Sequence, residues 1–320
     1  MKIAVLTSGG DAPGMNACIR AVVRCALNRG WEAFGSRHGY NGLVSSELIP
    51  LGHNSVSNTV QRGGTILGAG RCDLFEKAEG LARAAQTLRS FGVTALVAIG
   101  GDGTFRGLRD LSALWDGLCV GIPGTVDNDA SGSDYAIGFD TAVNTALEAI
   151  DRIRDTAESY ERTFIVEVMG RGSGAIALAA ALAGGAEEVC IPETPTDYRA
   201  LAERLNAGKS AGRASSIIVC AEGDELGGAE ALKQRLQHLS DLKFRTCILG
   251  HIQRGGAPTA RDRILASRLG AYAVQLVSEG TGGVVVGEIA GKLATTPLTE
   301  VGKATAADQS DAQLIQRLSR

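Results

Sequence analysis

The sequence predicts an α/β protein with two doubly wound, parallel-sheet domains that face a central cleft. Short apolar segments alternate with longer amphipathic ones along its 320 residues, which is typical of parallel strands connected by helices. Several apolar segments end in glycine-rich turns, and the length suits two domains. Ligands of such folds bind at the carboxyl ends of the strands, where these turns lie.

Apolar runs predict the strands, and the segments between them carry helical periodicity. An amphipathic helix is expected to run to about Arg154, because apolar residues from Ala142 to Ile153 recur at intervals of three and four. The predicted strands are residues 3–6, 94–99, 118–122, 164–168, 217–220 and 284–286. The other predicted helices are residues 15–27 and 103–114, with further ones near 174–182, 198–206, 229–239 and 261–278.

Two loops, near residues 138–141 and 249–256, mark the predicted domain boundaries. They predict a larger domain and a smaller one. The larger comprises residues 1–138 and about 251–300, and the smaller comprises about 139–250 and 301–320.

Composition excludes several classes of protein. The chain is 44% hydrophobic and 21% charged, so it has enough apolar surface to build a core and is not a disordered chain. Its net charge of −3 argues against nucleic acid as the main partner. No apolar run approaches the ~18 residues of a membrane span, and no signal-peptide pattern is present, so we expect a cytoplasmic location without membrane contact. The seven cysteines include no C-x-x-C pair, which disfavours disulfides and zinc.

Two glycine-rich turns follow predicted strands: Thr7-Ser8-Gly9-Gly10-Asp11 and Gly100-Gly101-Asp102-Gly103-Thr104. Glycines let the backbone approach a phosphate, and the N-terminus of the following helix offers free N–H groups and positive potential. Asp102, at the end of its strand, could hold Mg²⁺ beside the phosphates of a nucleotide. Tight strand-to-helix turns without a ligand are the alternative for both.

The segment PGTVDND, residues 123–129, ends the strand predicted at 118–122. Its carboxylates Asp127 and Asp129 are two residues apart, a costly arrangement unless a cation or a proton lies between them. One carboxylate can act as a general base, while the other positions a metal ion or orients the first carboxylate. A cluster of Asx turns on a solvent-exposed loop is the alternative.

Four arginines and a histidine flank predicted strands in a manner that suits a phosphate ligand. Arg171, His251 and Arg254 follow strands, whereas Arg162 and Arg245 stand at strand beginnings and should point away from the cleft. If all bind one ligand, another subunit must supply the last two. Taken singly, each arginine could be an ordinary surface residue.

Other residues narrow the chemistry. Glu222 follows a strand and could meet a sugar hydroxyl or serve the fold alone. No G-x-S-x-G and no local Cys–His signature is present. We therefore set hydrolase and covalent mechanisms aside.

Taken together, these segments resemble the bacterial, ATP-dependent type of 6-phosphofructokinase. They follow the order of that family over nearly the whole chain, and PGTVDND and the last segment are the most specific. The matching segments are LTSGGDAPGMNACIR (6–20), VAIGGDGT (97–104), GIPGTVDND (121–129), AIDRIRDT (149–156), VEVMGR (166–171), LAGGAEE (182–188) and LGHIQRGGAPTARDRILASRLGAYA (249–273). The resemblance implies phosphorylation of fructose 6-phosphate at its 1-hydroxyl by ATP, the committed step of glycolysis.

The resemblance also implies where the nucleotide lies. ATP would bind to the larger domain and fructose 6-phosphate mainly to the smaller one. Asp102 would hold the Mg²⁺ that accompanies ATP. The implied nucleotide-binding residues are Gly9, Tyr40, Arg71, Cys72, Gly101, Asp102, Gly103 and Thr104.

For the acceptor, the resemblance implies Asp127 as general base, Thr125 and Arg171 as stabilisers of the transferring phosphoryl group, and Asp129 as support for metal and base. The residues implied to hold the sugar are Met169, Gly170 and Glu222. Those implied to bind its 6-phosphate are His251 and Arg254, joined by Arg162 and Arg245 of a neighbouring subunit. The resemblance further implies a homotetramer with shared active sites.

Two glycines, Gly103 and Gly124, indicate which phosphoryl donor the protein uses. Pyrophosphate-dependent relatives typically carry Asp at the position of Gly103 and Lys at the position of Gly124. An Asp at 103 would crowd and repel the α-phosphate of a nucleotide. Gly at both positions favours ATP, and a pyrophosphate-dependent enzyme is the alternative.

Family members often bind ADP or phosphoenolpyruvate in a second site, and this chain matches that site only in part. The matching residues are Arg20, Arg24, Arg154, Gly185, Glu187 and Arg213. His53 and Asn54 stand where an Arg and often a Tyr are expected, and Ala211 and Ala214 where basic residues are common. We therefore expect weak or altered allosteric control.

Two other functions are alternatives to a phosphofructokinase. A lipid or NAD kinase could share the turn at residues 100–104, but it would not explain PGTVDND or GHIQRGG. A catalytically silent phosphate sensor should have lost its general base, yet Asp127 and Asp129 are both present.

Overall fold

A computed structural model of the chain describes residues 1–224, 227–302 and 309–319. The chain forms two compact units. The first unit comprises Met1–Thr125, Asp129–Thr141 and Arg254–Ala304, and the second comprises Val126–Asn128, Ala142–Gln253 and Thr305–Arg320. The predicted α/β class is confirmed. Of the predicted segment 301–320, residues 303–308 and 320 lie outside the described residues.

Strands and helices alternate along most of the chain. The strands are β1 (Lys2–Thr7), β2 (Glu32–Ser36), β3 (Leu48–Leu51), β4 (Ala95–Gly100), β5 (Leu118–Pro123), β6 (Thr163–Val168), β7 (Glu188–Cys190), β8 (Ser216–Ala221), β9 (Phe244–Ile248), β10 (Val284–Ile289) and β11 (Lys292–Pro297). The helices are α1 (Met15–Leu27), α2 (Tyr40–Val44), α3 (Ala78–Ser90), α4 (Asp102–Ser112), α5 (Phe139–Ser159), α6 (Ala175–Ala183), α7 (Tyr198–Ser210), α8 (Ala229–Gln237), α9 (Ala260–Ser278) and α10 (Gln309–Leu318).

The sheet of the first unit has parallel strands at its centre and an antiparallel pair at each edge. Its order is β11-β10-β5-β4-β1-β2-β3, and the two edge pairs, β2 with β3 and β10 with β11, are antiparallel. Ala290 and Gly291 join β10 to β11 with φ values of 49° and 74°. Positive φ at both positions is the geometry of a tight hairpin turn. The edge strands escaped prediction because they are short or half-exposed and lack a continuous apolar run.

The second unit has a four-stranded sheet in the order β7-β8-β6-β9, and all its pairs are parallel. Its core packs apolar side chains of the sheet against α7 and α8. These side chains include Ile165, Ile218, Phe244, Leu201 and Leu232, each at most 1% exposed. Burial of apolar surface of this kind is the main stabilising contribution to such a unit.

Strand register brings the predicted functional turns together within each unit. In the first unit, Thr7 of β1 is level with Ile99 of β4, and Gly100 is level with Pro123 of β5. In the second unit, Val168 at the end of β6 is level with Ala221 at the end of β8. Since parallel strands end at the same edge, the turns that follow them become neighbours.

Candidate active site

In the first unit, Tyr40 supports the turn at residues 100–104. Its hydroxyl donates a hydrogen bond to the carbonyl of Thr104 at 2.7 Å, and its ring stacks on Phe75 with centroids 3.8 Å apart. Tyr40 is only 4% exposed, and this burial raises the pKa of Tyr40 well above its usual value. The hydroxyl therefore stays protonated and keeps donating.

The remaining residues implied for the nucleotide lie beside that turn. The Gly9 N–H donates to the carbonyl of Gly70 at 3.4 Å, and Asn41 Nδ2 donates to the carbonyl of Arg71 at 3.0 Å. Arg71 is exposed and Cys72 half-buried. These contacts bring residues 70–72 next to the first turn. The start of α4, with Gly101, Asp102 and Gly103 partly or fully exposed, is open to a phosphate.

Asp102 and Asp129 are the carboxylates of the first unit that suit Mg²⁺. Asp102 Oδ1 accepts from the Ser131 N–H at 3.0 Å and Oδ2 from Ser131 Oγ at 3.3 Å. Asp129 Oδ1 accepts from Thr125 Oγ1 at 3.3 Å. No group of three or more His, Cys, Asp or Glu is clustered for a metal among the described residues. Mg²⁺ is commonly bound through one or two carboxylates together with phosphate oxygens, and these two side chains offer carboxylates of that kind.

In the second unit, the buried carboxylate of Asp127 faces a half-exposed guanidinium. Nε of Arg171 lies 3.6 Å from Oδ2 of Asp127, and the two side chains are 53% and 3% exposed, respectively. A nearby cation favours the ionised carboxylate that a general base requires.

Arg171 belongs to a turn of residues 169–171, called the Arg171 turn below, which follows β6. The Met169 N–H donates to Gln253 Oε1 at 2.9 Å, and the Arg171 N–H donates to Glu222 Oε1 at 3.1 Å. Gln253 is fully buried. It lies inside the segment HIQRGG, but its role escaped sequence analysis because its partner is distant along the chain. Ser131 was missed for the same reason.

The basic residues implied for the sugar phosphate belong to different elements of the fold. Arg254, in the first unit, donates from Nη1 to the carbonyl of Asp11 at 3.0 Å, whereas His251 is exposed in the second unit. Arg162 directly precedes β6 and lies over the Tyr160 ring at 4.8 Å, and Arg245 is the second residue of β9. About 20 Å of strand separates the start of β6 from the Arg171 turn.

Comparison with known proteins identifies the family. The sequence pattern of the family described as Phosphofructokinase matches residues 2–277. The chain belongs to the phosphofructokinase family. It is 56% identical over 299 residues to "ATP-dependent 6-phosphofructokinase 1" of Thermus thermophilus, covering 93% of each chain.

Solved phosphofructokinase structures share the fold. A phosphofructokinase from Saccharomyces cerevisiae has a TM-score of 0.88 and 35% identity, and the match covers 99% of this chain and 47% of that chain. This chain therefore spans about half the length of the yeast one. A pyrophosphate-dependent phosphofructokinase from Marinobacter aquaeolei has a TM-score of 0.86 at 23% identity, covering 97% and 86% of the two chains. That second likeness shows the fold alone, so the donor has to be argued from residues.

Two glycines of this phosphofructokinase bear on the donor. A Cβ added to Gly103 would meet Nη2 of Arg106 at 3.8 Å, an ordinary contact that leaves room for a side chain. A Cβ added to Gly124 would stand 2.9 Å from Cγ2 of Ile99 and 3.2 Å from Cε of Met15. Gly124 is therefore packed against the core of the first unit, and a lysine there would require repacking.

Four of the six residues matched to the effector site make contacts within the second unit: Arg154, Gly185, Glu187 and Arg213. Arg154 Nη2 donates to the carbonyls of Gly184 and Gly185 at 2.7 and 2.8 Å, and Nη1 lies 3.7 Å from Glu187 Oε1. Arg213 donates to the carbonyl of Ser319. A cavity of about 180 Å³ lies between Glu187, Arg213 and α10. Arg20 and Arg24 lie on α1 of the first unit, both half-buried.

Proposed function

We propose that the chain is an ATP-dependent 6-phosphofructokinase, which phosphorylates fructose 6-phosphate at the 1-hydroxyl to give fructose 1,6-bisphosphate and ADP. The observation that carries the proposal is the buried Asp127 carboxylate paired with Arg171 in a chain of this family. The identity with the Thermus thermophilus ATP-dependent enzyme supports the same reaction, a phosphoryl transfer of glycolysis.

In the proposed reaction, Asp127 accepts the proton of the 1-hydroxyl as that oxygen bonds to the γ-phosphorus of ATP. The bond between the γ-phosphorus and the bridging oxygen breaks, and ADP leaves with the electron pair. Arg171 and Thr125 donate to the transferring phosphoryl oxygens, where negative charge is concentrated. Catalysis then consists of positioning and charge stabilisation.

Asp102 would hold the Mg²⁺ of the nucleotide, and Asp129 would support both the metal and Asp127. When bound, the ion neutralises charge on the phosphate oxygens. Ser131 fixes the orientation of the Asp102 carboxylate through two hydrogen bonds. Gly9, Tyr40, Arg71, Cys72 and the turn at 101–104 would hold the nucleotide.

Fructose 6-phosphate would be held by Met169, Gly170 and Glu222, with His251 and Arg254 on its 6-phosphate. Arg162 and Arg245 stand at strand beginnings, opposite the Arg171 turn along β6. We therefore assign them to the site of a neighbouring subunit, and we propose a homotetramer with shared active sites.

ATP is the proposed donor, because Gly103 and Gly124 stand where pyrophosphate-dependent relatives carry Asp and Lys.

A cytoplasmic location is part of the proposal. Among the described residues, no helix combines the length and apolarity that a membrane crossing needs.

The test is formation of fructose 1,6-bisphosphate from fructose 6-phosphate and Mg²⁺, with either ATP or pyrophosphate supplied. Turnover with ATP alone is expected. Turnover with pyrophosphate would overturn the donor and leave the acceptor standing. The absence of turnover with both would overturn the reaction itself.

A further inference from the structure

The Arg171 turn has a backbone that needs support from outside. Arg171 has a φ of 52°, in the left-handed region that residues with a Cβ disfavour. Gly170 has a φ of 151°, and the Ser173 N–H donates to its carbonyl at 2.8 Å. Arg171 would relax towards an ordinary backbone conformation if nothing else restrained it.

Glu222 and Gly223, which follow β8, contact both polar groups of the Arg171 backbone. Glu222 Oε1 accepts from the Arg171 N–H at 3.1 Å. Gly223 lies directly against the Arg171 carbonyl. A Cβ added to Gly223 would stand 1.5 Å from that oxygen and 2.5 Å from its carbon, whereas real Cβ atoms essentially never come within 3.0 Å of another heavy atom. Only glycine at position 223 permits this approach.

The contact decides where the guanidinium lies. The Arg171 side chain is 53% exposed, so the surrounding packing restrains it little and its position depends on the backbone beneath it. The register of β6 with β8, Val168 level with Ala221, brings the two turns together. We propose that Gly223 is a positioning residue for Arg171, a role that rests on the proposed function because Arg171 stabilises the phosphoryl group in it.

Gly223→Ala tests the proposal, with Gly172→Ala as the matched control. Gly172 is exposed, has an ordinary φ, and a Cβ added to it meets nothing within 4 Å. Displacement of a catalytic group by about 1 Å lowers a rate about 10²-fold. We expect a loss in kcat of about that size for Gly223→Ala, with the KM for ATP unchanged. Gly172→Ala should match the wild type.

A double-variant cycle on kcat distinguishes a positioning role for Gly223 from a merely structural one. Adding Gly223→Ala to Arg171→Ala should lower kcat no further, because the group it positions is already gone. An equal loss of kcat in both backgrounds would overturn the proposal. So would wild-type kcat in Gly223→Ala, or a Gly223→Ala chain that does not fold, since the glycine would then serve the fold instead of Arg171.

A crystal structure of Gly223→Ala beside one of the wild type, in the same crystal form, separates this inference from the proposed function. We expect Arg171 to adopt a negative φ and its Nε to move away from Asp127. An unchanged Arg171 turn would overturn the inference whatever reaction the protein catalyses. Failure of the wild type to phosphorylate fructose 6-phosphate would overturn only the proposed function, and the crystal comparison would still decide the role of Gly223.

Discussion

Asp127 and Arg171 form an asymmetric pair: the carboxylate side chain is 3% exposed and the guanidinium 53%, with Oδ2 and Nε 3.6 Å apart. The carboxylate is shielded from water, and the guanidinium can turn towards a ligand. Exposure of this kind suits a base that must stay ionised beside a cation that must reach a phosphate. The pair lies within the second unit, where Arg171 follows the carboxyl end of β6.

Asp127→Ser should lower turnover by orders of magnitude and largely keep substrate binding. The hydroxyl cannot accept the proton of the 1-hydroxyl, and loss of a general base lowers kcat by about 10²–10⁴-fold. Steady-state kinetics give kcat, and calorimetric titration gives the affinity for fructose 6-phosphate. Asp151→Asn, an exposed aspartate of the same unit, is the control. A variant with nearly unchanged kcat would show that Asp127 is not the general base.

Gly103→Asp should raise the KM for ATP and leave the KM for fructose 6-phosphate unchanged. The Cβ position is open, so the effect comes from the carboxylate beside the phosphates. Like charges about 4 Å apart repel by about 1–4 kcal/mol in water or near a protein surface. Initial rates at varied ATP measure this, and Gly103→Ala separates charge from bulk. An equal effect of Ala and Asp would contradict the electrostatic explanation.

Tyr40→Phe should raise the KM for ATP selectively. The ring can still stack on Phe75, but the Thr104 carbonyl loses its hydroxyl donor. A typical hydrogen bond contributes about 0.5–1.5 kcal/mol, so we expect a change of a few-fold. Tyr272→Phe, a half-buried tyrosine of the same unit, is the control. Burial keeps the pKa of Tyr40 well above 10. The alkaline limb of the pH–rate profile should therefore be the same in the wild type and in Tyr40→Phe.

Asp262→Ala should destabilise the first unit. Asp262 is 1% exposed, and its carboxylate accepts from the backbone N–H groups of Gly138 and Thr141 at 2.9 Å each and from the Thr141 hydroxyl. Each buried donor left without a partner costs about 1–3 kcal/mol. Urea denaturation followed by fluorescence and circular dichroism measures the loss. An unchanged midpoint would show that water replaces the carboxylate.

The same residue gives a pH dependence whose sign can be stated. Burial raises the pKa of Asp262 above its ordinary value, and the three hydrogen bonds oppose that rise without cancelling it. The folded state therefore binds the proton more tightly than the unfolded state, and the free energy of unfolding falls as pH rises above about 4 through the folded pKa. Relative to Asp262→Asn, the wild type should lose stability over this range. A gain would mean that the hydrogen bonds outweigh burial.

Phosphoenolpyruvate should inhibit the enzyme weakly and without strong sigmoidicity. His53, Asn54, Ala211 and Ala214 replace groups expected at the effector site, and all four are exposed. A hydrogen bond to a charged group contributes about 1.5–3 kcal/mol, so restoring two cations in Ala211→Lys/Ala214→Lys should strengthen the response at least tenfold. Strong sigmoidal inhibition of the wild type would contradict this prediction.

Prediction from sequence worked best where the information is local. Apolar runs and periodicity located β1, β4, β5, β6, β8 and most of the helices within a few residues. It missed β2, β3, β7 and β11, which are only three to six residues long. Of these, β3, β7 and β11 are edge strands, which take their conformation from the neighbour they pair with. Helix α5 continues to Ser159, five residues beyond the predicted end at Arg154. The extension carries a single apolar residue, the buried Ala157, and one small side chain gives only a weak periodic signal.

The sequence by itself determined the α/β class and the residue types at the strand ends, including Asp102, Asp127, Asp129 and Arg171. These features depend on residues that are neighbours in the chain, so a local pattern reveals them. Tertiary structure alone decided which distant groups meet them. Ser131 orients Asp102, Gln253 fixes Met169 across 84 residues of chain, and Gly223 presses on the carbonyl of Arg171. Such contacts depend on strand register and on distances of a few ångströms, which no local pattern encodes.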